Sequence, residues 1–310
     1  MMHLETMMTT IEISELLRER FGSAVRQHVP LARYTSARVG GAADVLVTAN
    51  SASELAEIVT TLWESGTDFF LLGGGSNVLI GDRGVRGVTI LNRAKEVRFD
   101  EGTRPKVYAE SGVVLSNLAN RCALKGLSGL EWAATVPGTI GGAVYGNAGA
   151  FGGDMARTLL TAEVLTLAGR ERWSVERLEY GYRTSRLKRR DIRAVILGAE
   201  LRLEVGDPVE VAAKIAEFSE SRKATQPPGA SMGSTFKNPP DDYAGRLIEA
   251  AGLKGTRIGS ATISTMHGNF IITHEQTRAA DVRALIKLVQ RAVLEKSGVD
   301  LELEIELVGE

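Results

Sequence analysis

The stretch GLEWAATVPGTIGGAVYGNAGAFGG, residues 129–153, decides how the chain is interpreted, because it carries very little side-chain bulk. Pro137 fixes one turn, and glycine then recurs at Gly138, Gly141, Gly142, Gly146, Gly149, Gly152 and Gly153. A loop of this length is costly in conformational entropy when nothing packs on it. Clustered glycine indicates backbone that another group approaches closely. We therefore expect an extended cofactor along this loop rather than a purely structural turn.

A second glycine cluster, GGGSN at residues 73–77, follows the apolar run at residues 69–72. Successive main-chain N–H groups in such a turn can form an anion-binding nest, to which Ser76 and Asn77 add side-chain hydrogen bonds. A tight turn after a strand explains the same residues equally well. The spacing fits neither GxGxxG nor GxxxxGK[ST], so a standard Rossmann nucleotide site is disfavoured.

Two further motifs combine charged and polar side chains. GYRTSRLKRRD, residues 181–191, is rich in arginine, and such runs are usually solvated charge on a turn. One arginine could instead grip a carboxylate or phosphate in a bidentate manner. GSTFKNP, residues 233–239, offers a hydroxyl, a cation and an amide, which suit a phosphorylated ligand beside a proton donor. A simple loop cap accounts for it equally well.

Bulk composition limits the class of ligand. The chain has 310 residues and a net charge of -1, with basic and acidic residues interspersed. Such a sequence shows no concentration of positive charge of the kind that binds nucleic acid or an anionic membrane. We therefore expect small-molecule ligands, and two or three domains at this length.

Cysteine and histidine usage argues against thiol and metal chemistry. The single cysteine, Cys122, excludes an internal disulfide, and its apolar helical surroundings predict a packed thiol. The histidines are His3, His28, His267 and His274, so no histidine cluster can build a catalytic zinc site in the glycine-rich half. We expect no metal site and interpret His267 as structural.

The pattern of apolar residues predicts a mixed α+β fold. Helices are expected over residues 53–65, with Ser53 as the cap, and over residues 115–125, 244–251 and 279–296. Strands are expected over residues 69–72, 78–80, 88–91, 107–109, 162–167, 193–203, 257–262 and 269–273. The alternation of apolar residues and glutamates over residues 301–307 predicts a final half-buried strand.

The first residues, MMHLETMMTT, lack a basic region followed by an apolar stretch, so we expect no secretory signal there. No window approaches the roughly 18 apolar residues that a membrane span requires. The expectation is a soluble, cytoplasmic protein.

Taken together and in order, several motifs closely resemble the UDP-N-acetylenolpyruvoylglucosamine reductase (MurB) family. They are RYTSARVGGAADVLV (33–47), LLGGGSNVLI (71–80), PGTIGGAVYGNAGAFGG (137–153), GYRTS (181–185), GSTFKNP (233–239), LIEAAGLKG (247–255) and LELEIELVG (301–309). Each motif alone is weak, whereas their co-linear agreement is highly specific.

The resemblance implies an α+β flavoenzyme with a two-part FAD-binding region of the vanillyl-alcohol-oxidase type and a smaller α+β substrate-binding domain. The implied domains are residues 1–95 and 96–206 for FAD and residues 207–310 for the UDP-sugar, with the final strand returning to the active site. The implied contacts with non-covalent FAD are Gly73, Gly74, Gly75, Ser76, Asn77, Pro137, Gly138, Thr139, Gly141, Gly142, Gly146, Asn147, Ala148 and Gly149.

The implied reaction is NADPH-dependent reduction of UDP-N-acetylglucosamine enolpyruvate, a step of peptidoglycan precursor synthesis. By resemblance the catalytic arginine is Arg183, the proton-donating serine is Ser234 and the catalytic glutamate is Glu304. Tyr182, Lys237 and Asn238 match positions near the substrate. A charged carboxylate would repel a developing enolate, so we expect Glu304 to be protonated or paired with a cation.

The chain also departs from the family pattern. Glu306 occupies a position that is commonly arginine, and Thr273 one that is commonly asparagine. No insertion follows GYRTS, so the chain resembles the shorter, type II branch that lacks the substrate-covering tyrosine loop.

Two other hypotheses fit parts of the sequence. One is a non-covalent FAD oxidase of the same flavin fold that acts on an alcohol or a sugar. The other is a binding protein for flavin or nucleotide-sugar without enzymatic activity. For the reductase, the expected assembly is a monomer whose partners are the two small-molecule substrates, with no nucleic acid or membrane partner.

Overall fold

The computed structural model describes residues 8–310, so the expectation about the first residues largely lies outside the described part. The helices are α1 (Thr10–Phe21), α2 (Ala52–Glu64), α3 (Leu115–Leu124), α4 (Ile140–Gly146), α5 (Met155–Thr158), α6 (Val175–Leu178), α7 (Pro208–Thr225), α8 (Ala244–Ala250) and α9 (Ala279–Ser297). None of the helices within residues 8–310 has the length and apolar character needed to span a bilayer.

The strands are short and distributed along the whole chain. They are β1 (Val25–Pro30), β2 (Ala42–Ala49), β3 (Phe69–Leu72), β4 (Val78–Ile80), β5 (Val85–Asn92), β6 (Val97–Asp100), β7 (Lys106–Glu110), β8 (Leu127–Ser128), β9 (Gly149–Ala150), β10 (Gly153–Asp154), β11 (Leu159–Thr166), β12 (Gly169–Trp173), β13 (Ala194–Arg202), β14 (Glu204–Val205), β15 (Arg257–Ile258), β16 (Ala261–Ile263), β17 (Ile271–Thr273) and β18 (Glu306–Val308). The mixed α+β prediction is confirmed.

Contacts divide the chain into two compact units. The first comprises residues 8–28 together with Asp44–Gly74 and Gly87–Ser219. The second comprises Val29–Ala43, Gly75–Arg86 and Glu220–Glu310. The second unit therefore takes two short segments from the N-terminal third of the chain as well as the whole C-terminal part.

Two sheets carry most strands of the first half of the chain. One has the order β1, β2, β5, β3, with β3 and β5 parallel, and the other has the antiparallel order β12, β11, β13, β7, β6. One buried cluster lies around α3, α4 and the second sheet, and another involves α1 and α2. Cys122 is fully buried in the α3 cluster, and burial raises the pKa of its thiol to about 12, so the prediction of a packed thiol is confirmed.

Helix α2 forms largely as its sequence predicts. Leu55, Ile58 and Val59 are buried at helical spacing, and the chain leaves the helix before Gly66, which has φ +64°. The predicted cap was wrong: Ser51 accepts from the main chain of the first turn at 3.1 Å, because the helix begins at Ala52. Ser53 already lies inside the helix.

The expectation of a continuous loop over residues 129–153 was wrong, because α4 lies within it. Ile140, Ala143 and Val144 are buried at spacings of three and four, which gives this glycine-rich turn an apolar face. The helix ends at Asn147, which adopts the left-handed conformation with φ 47°.

The second unit is built around α9. Its antiparallel sheet has the order β15, β16, β17, and β18 pairs in parallel with β4. The buried cluster includes Val282, Leu285, Ile286 and Val289 of α9. Helix α9 ends at Gly298 in the left-handed conformation, as the sequence predicts.

The final strand is shorter than the predicted span of residues 301–307. Only Glu306–Val308 pairs with β4, and Leu307 is exposed although its apolar character predicted burial. Residues 302–304 instead pair with residues 235–237. An apolar alternation predicts an extended conformation but does not identify the hydrogen-bonding partner, which here changes along the segment.

A buried carboxylate joins α2 to the second sheet of the first unit. Glu110 is 5% exposed, and its two carboxylate oxygens accept from the main-chain N–H groups of Ala52 at 2.7 Å and Glu96 at 2.8 Å. We expect Glu110→Ala to lower the free energy of unfolding by about 2–4 kcal/mol, because it leaves two inward-facing donors without an acceptor. Urea-induced unfolding measures this loss.

Glu96→Ala is the matched control for that measurement. The Glu96 side chain is exposed and lies 3.6 Å from Arg98, an ion pair expected to contribute less than about 1 kcal/mol. Equal losses for the two variants would contradict a special role for the Glu110 carboxylate.

Candidate active site

The GYRTS segment lies against the C-terminal end of α4, where helix carbonyls lack partners within the helix. The Tyr180 hydroxyl donates to the Val144 carbonyl at 2.8 Å, and the Ser185 hydroxyl donates to the Tyr145 carbonyl at 2.6 Å. Burial raises the pKa of the Tyr180 hydroxyl, which therefore remains a donor. These two bonds fix both ends of the segment that carries Arg183.

Arg183 itself has a left-handed backbone conformation, φ 55°, which is uncommon for residues other than glycine. Its guanidinium donates to the Gly149 carbonyl at 2.5 Å and to the Asn147 carbonyl at 3.4 Å. The Asn147 side-chain amide in turn donates to the Gly181 carbonyl at 3.1 Å. Such backbone outliers persist where their surroundings over-determine them, and they cluster at functional sites.

The other arginines of this run behave as solvated charge. Arg189 pairs with Glu179 at 2.7 Å and Asp191 at 2.9 Å, and Arg186 lies 3.8 Å from Glu179. Arg189 also donates to the Glu179 main-chain carbonyl at 3.1 Å, whereas the two main-chain carbonyls that hold Arg183 belong to the glycine-rich segment after α4.

Tyr182 is 54% exposed, and the Cζ atom of Arg183 lies 5.4 Å from the centre of its ring. This distance allows a cation–π contact. An exposed ring beside a fixed guanidinium is available to a ligand.

The start of GGGSN packs against the PGT turn of residues 137–139. A Cβ atom at Gly73 would lie 2.6 Å from the Thr139 hydroxyl, and one at Gly74 would lie 3.0 Å from the Cα atom of Gly138. Two of the loops that the sequence proposes for one cofactor therefore meet in the first unit. Glycine is favoured there by the close approach of the Thr139 side chain to Gly73 and of the Gly138 backbone to Gly74.

The next residues of GGGSN fit an anion. Gly75 has φ +62°, and a Cβ atom there would lie 2.1 Å from the Tyr34 carbonyl, so only glycine is accommodated. Across residues 8–310, no protein acceptor is bonded to the main-chain N–H of Gly75 or Ser76. Adjacent N–H groups in a turn with a left-handed residue can hold a phosphate group. The residues present therefore fit a cofactor that contains phosphate.

The glycines around α4 divide into two groups. Gly141 packs internally, because a Cβ atom there would lie 2.9 Å from the Ser111 side chain. Within residues 8–310, an added Cβ at Gly142 would meet nothing closer than 3.8 Å, and one at Gly146 nothing within 4 Å. Gly142 and Gly146 are four residues apart, so they share one face of α4. That face is bare and open to an incoming group.

The two residues that flank this helix on the predicted cofactor loop differ in exposure. Pro137 is exposed before α4, and Ala148 is half-buried after it, where its carbonyl accepts from Met155 at 2.9 Å.

In the second unit, Asn269 holds the segment that carries Ser234. Its side-chain carbonyl accepts from the Phe236 N–H at 2.9 Å, and its amide donates to the Phe236 carbonyl at 2.8 Å. Its own main-chain carbonyl accepts from Thr235 at 2.9 Å, and Ser234 forms a bridge with Phe270. In the described chain the Ser234 hydroxyl has no protein partner, so it is available to a ligand.

Glu304 lies beside this segment. Its main-chain N–H donates to the Thr235 carbonyl at 3.0 Å, and its main-chain carbonyl accepts from the Asn77 side-chain amide at 3.0 Å. The neighbouring pair Phe236 and Leu303 forms an antiparallel bridge. The structure thus places the predicted serine and glutamate on hydrogen-bonded neighbouring segments of one unit.

Lys237 and Asn238 are engaged by the protein itself. The Lys237 ammonium pairs with Glu302 at 2.5 Å, and its side chain is 16% exposed. The Asn238 side-chain carbonyl accepts from the Ala244 N–H at 3.1 Å, at the start of α8. This bond is one that the loop-cap interpretation of GSTFKNP predicts, and it engages only the carbonyl of the Asn238 side chain.

His267 is a structural residue, as predicted. Its Nδ1 atom accepts from the Asn269 N–H at 3.2 Å, and its ring lies edge-on to Phe270 at 5.0 Å. Burial, with a smaller effect from Lys254, lowers the pKa of His267, which keeps the ring in the neutral form that this acceptor role requires.

The sequence interpretation overlooked the role of Asn269 and the anchoring role of the Asn147 side chain. Asn269 is 3% exposed, and the only signal for it is a polar residue immediately before the apolar run FIIT. No sequence periodicity reveals a buried side-chain amide that bonds both main-chain polar groups of a distant residue.

We expect Asn269→Ala to lower the free energy of unfolding by about 2–4 kcal/mol, because the N–H and carbonyl of the buried Phe236 both lose their partner. Chemical denaturation measures the change. Asn120→Ala is the control: its exposed amide bonds only to the Ser116 carbonyl one helical turn away, so a change within about 0.5 kcal/mol is expected. If the two variants matched, the proposed role of the Asn269 amide would be wrong.

Comparison with protein families defines the class of protein. Residues 43–174 match the FAD binding domain family, and residues 224–308 match the family described as UDP-N-acetylenolpyruvoylglucosamine reductase, C-terminal domain. These matches confirm the predicted FAD-binding region and the predicted smaller C-terminal domain. The chain is a flavin-dependent oxidoreductase.

Full-length relatives give the particular family. The chain is 41% identical over 298 residues to the UDP-N-acetylenolpyruvoylglucosamine reductase of Chloroflexus aggregans, covering 94% of this chain and 100% of the relative. It is 43% identical over 292 residues to that of Rubrobacter xylanophilus, covering 94% and 98%. The crystal structure of the Thermus caldophilus enzyme matches with a TM-score of 0.78 and 36% identity, covering 92% of this chain and 98% of that one.

The chain belongs to the UDP-N-acetylenolpyruvoylglucosamine reductase family, as its ordered motifs predict, and FAD is its cofactor. The alternative of an alcohol or sugar oxidase is not favoured by these relatives. A binding protein without enzymatic activity is disfavoured for the same reason.

Proposed function

We propose that this chain catalyses the NADPH-dependent reduction of UDP-N-acetylglucosamine enolpyruvate to UDP-N-acetylmuramate. Its agreement with reductases of that name extends over 94% of its length, through the FAD-binding region and the C-terminal domain. The structural observation that carries the proposal is the pairing of the Ser234 segment with the Glu304 segment. When bound, FAD supplies the redox chemistry, taking two electrons from NADPH and delivering them to the second substrate.

We propose that the glycine-rich turns hold FAD. The N–H groups of Gly75 and Ser76 are available to its phosphates, and the bare face at Gly142 and Gly146 is available to another part of the molecule. The remaining members of the proposed cofactor set are Gly73, Gly74, Asn77, Pro137, Gly138, Thr139, Gly141, Asn147, Ala148 and Gly149. Several of these glycines shape the loops, because the absence of a side chain lets neighbouring protein atoms approach them closely.

The catalytic residues follow from the charge that the reaction creates. Addition of a hydride to the terminal vinyl carbon leaves negative charge on the carbon next to the carboxylate. The Arg183 guanidinium, fixed by carbonyls on one side, is suited to stabilise this enolate. The Ser234 hydroxyl then donates a proton to that carbon, and solvent replenishes it. Glu304 is protonated or paired with a cation during this step, because a bare carboxylate would repel the enolate.

Substrate binding is assigned to Tyr182, Lys237 and Asn238. Tyr182 offers an exposed aromatic face. Lys237 is the natural partner for a phosphate group, and its ion pair with Glu302 orients the ammonium before substrate arrives.

We further propose a functional division into residues 1–95 and 96–206 for FAD and residues 207–310 for the UDP-sugar. The family matches at residues 43–174 and 224–308 support it. In the cell the enzyme acts as a cytoplasmic monomer in peptidoglycan precursor synthesis, and it contributes in that way to cell-wall growth, cell shape and division.

Stopped-flow absorbance separates the two halves of the reaction. We expect Ser234→Ala to leave bleaching of the flavin by NADPH unchanged, because the serine acts after hydride transfer. Product formation should fall by about 10²- to 10⁴-fold, the usual contribution of a positioned proton donor. Ser221→Ala, on the exposed face of α7, is the control and should leave both steps unchanged. Normal turnover by Ser234→Ala would remove the serine from the mechanism.

Arg183→Lys tests the fork geometry of the guanidinium. A lysine ammonium cannot bond two main-chain carbonyls and the substrate in one plane, so re-oxidation of the reduced flavin by the enolpyruvyl substrate should slow by about 10²-fold or more. Arg189→Lys, in the same segment, keeps its exposed ion pairs and should behave like the unmodified protein. Equal behaviour of the two variants would show that charge alone suffices.

A further inference from the structure

The peptide groups on both sides of the Glu304 Cα atom are held by different parts of the second unit. On one side the Glu304 N–H donates to the Thr235 carbonyl at 3.0 Å. On the other side the Glu304 carbonyl accepts from the Asn77 side-chain amide at 3.0 Å. Because both flanking peptides are bonded, the direction in which the Glu304 side chain leaves the backbone is restricted.

The bond from Asn77 lies just beyond a regular ladder. Strand β18 pairs in parallel with β4 from Glu306 opposite Val78, and the Glu306 N–H donates to the Asn77 carbonyl at 2.9 Å. The Glu304 carbonyl lies past this pairing, and a side chain bonds it in place of the main chain. The Asn77 side chain therefore continues the hydrogen bonding of the ladder by two residues, from Glu306 to the proposed catalytic Glu304.

This geometry distinguishes Asn77 from the residues before it in GGGSN. In the described part of the chain, the main-chain donors of Gly75 and Ser76 have no protein acceptor, whereas one donor of the Asn77 amide bonds to the Glu304 carbonyl. An asparagine amide has two N–H donors and one carbonyl. A side chain that is hydrogen-bonded in this way positions another residue in preference to binding a ligand.

We propose that the Asn77 side chain is the positioning residue of Glu304, and that only the main chain of Asn77 contributes to the phosphate-binding turn. The proposal rests on the function proposed above for Glu304. It predicts that loss of the amide disturbs the step in which Glu304 takes part and leaves the affinity for FAD intact.

The experiment compares Asn77→Ala with Ser76→Ala in the full chain. For Asn77→Ala, titration of the apoprotein with FAD should give a dissociation constant within about threefold of the unmodified protein, and bleaching by NADPH should keep its rate. Re-oxidation by the enolpyruvyl substrate should slow by about 10²-fold, as expected when a catalytic group moves by roughly 1 Å. Ser76→Ala removes the hydroxyl that is expected to bond the phosphate beside the main-chain N–H groups. It should therefore show the opposite pattern, with weaker FAD binding and normal re-oxidation of the loaded protein.

A double-mutant cycle supplies a readout that a general structural defect would not reproduce. If Asn77 acts through Glu304, adding Asn77→Ala to Glu304→Gln should slow re-oxidation by less than about twofold beyond Glu304→Gln alone. Multiplicative effects would overturn the proposal, and so would loss of FAD affinity in Asn77→Ala. Asn77→Leu, which fills the same space without a donor, is the second variant if Asn77→Ala does not fold, and the same outcomes apply to it.

Re-oxidation of the unmodified protein distinguishes failure of this proposal from failure of the proposed function. If its reduced flavin were not re-oxidised by the enolpyruvyl substrate, the proposed function itself would be wrong, before any variant is compared. If it is re-oxidised normally, the results for Asn77 bear on the positioning role alone.

Discussion

The double attachment of the Glu304 main chain is the constraint on which the site in the second unit depends. Asn77 and Glu304 are 227 positions apart in the sequence, and Thr235 lies in a third stretch. Bringing such distant segments together costs loop-closure entropy, although that cost grows only slowly with separation. The buried cluster around α9 offsets it, because it includes Leu79, Phe236 and Ile305 from the same three stretches. Packing therefore brings the segments together, and the hydrogen bonds then fix their register.

In the first unit, long-range hydrogen bonds likewise hold a segment in place at the C-terminal end of α4. A helix leaves carbonyl groups without partners at its C-terminal end, and the hydroxyls of Tyr180 and Ser185 donate to two of them. The Arg183 guanidinium donates to the Gly149 carbonyl just after the helix. The same bonds that complete the helix also determine where Arg183 lies. A residue at positive φ is strained, and the strain is tolerated because several neighbouring bonds would be lost if the turn relaxed.

Glycine has two different roles in this chain. At Gly73, Gly74 and Gly75 a side chain would collide with protein backbone or with Thr139. The absence of a side chain there allows the loops to approach each other. Among the described residues, the nearest atom to a Cβ at Gly142 would lie 3.8 Å away, and none would lie within 4 Å of one at Gly146. Glycine content by itself cannot separate these cases, because both remove a Cβ atom, and only the surrounding atoms distinguish close packing from an open surface.

Local patterns were sufficient for much of the fold and for the candidate residues. Short apolar runs predicted β3 and β4 to the residue, apolar periodicity predicted α2, α3, α8 and α9, and ordered motifs indicated the family and its cofactor. What the sequence alone determined is therefore local conformation and residue chemistry, because both depend on neighbours within a few positions. The tertiary structure alone decided that α4 interrupts the glycine-rich stretch and that residues 302–304 pair with residues 235–237. It also decided that Asn269 bonds to the segment after Ser234 and that Asn77 bonds to the Glu304 carbonyl. Those outcomes depend on which distant groups satisfy each buried donor and acceptor, and no local pattern specifies such a partner.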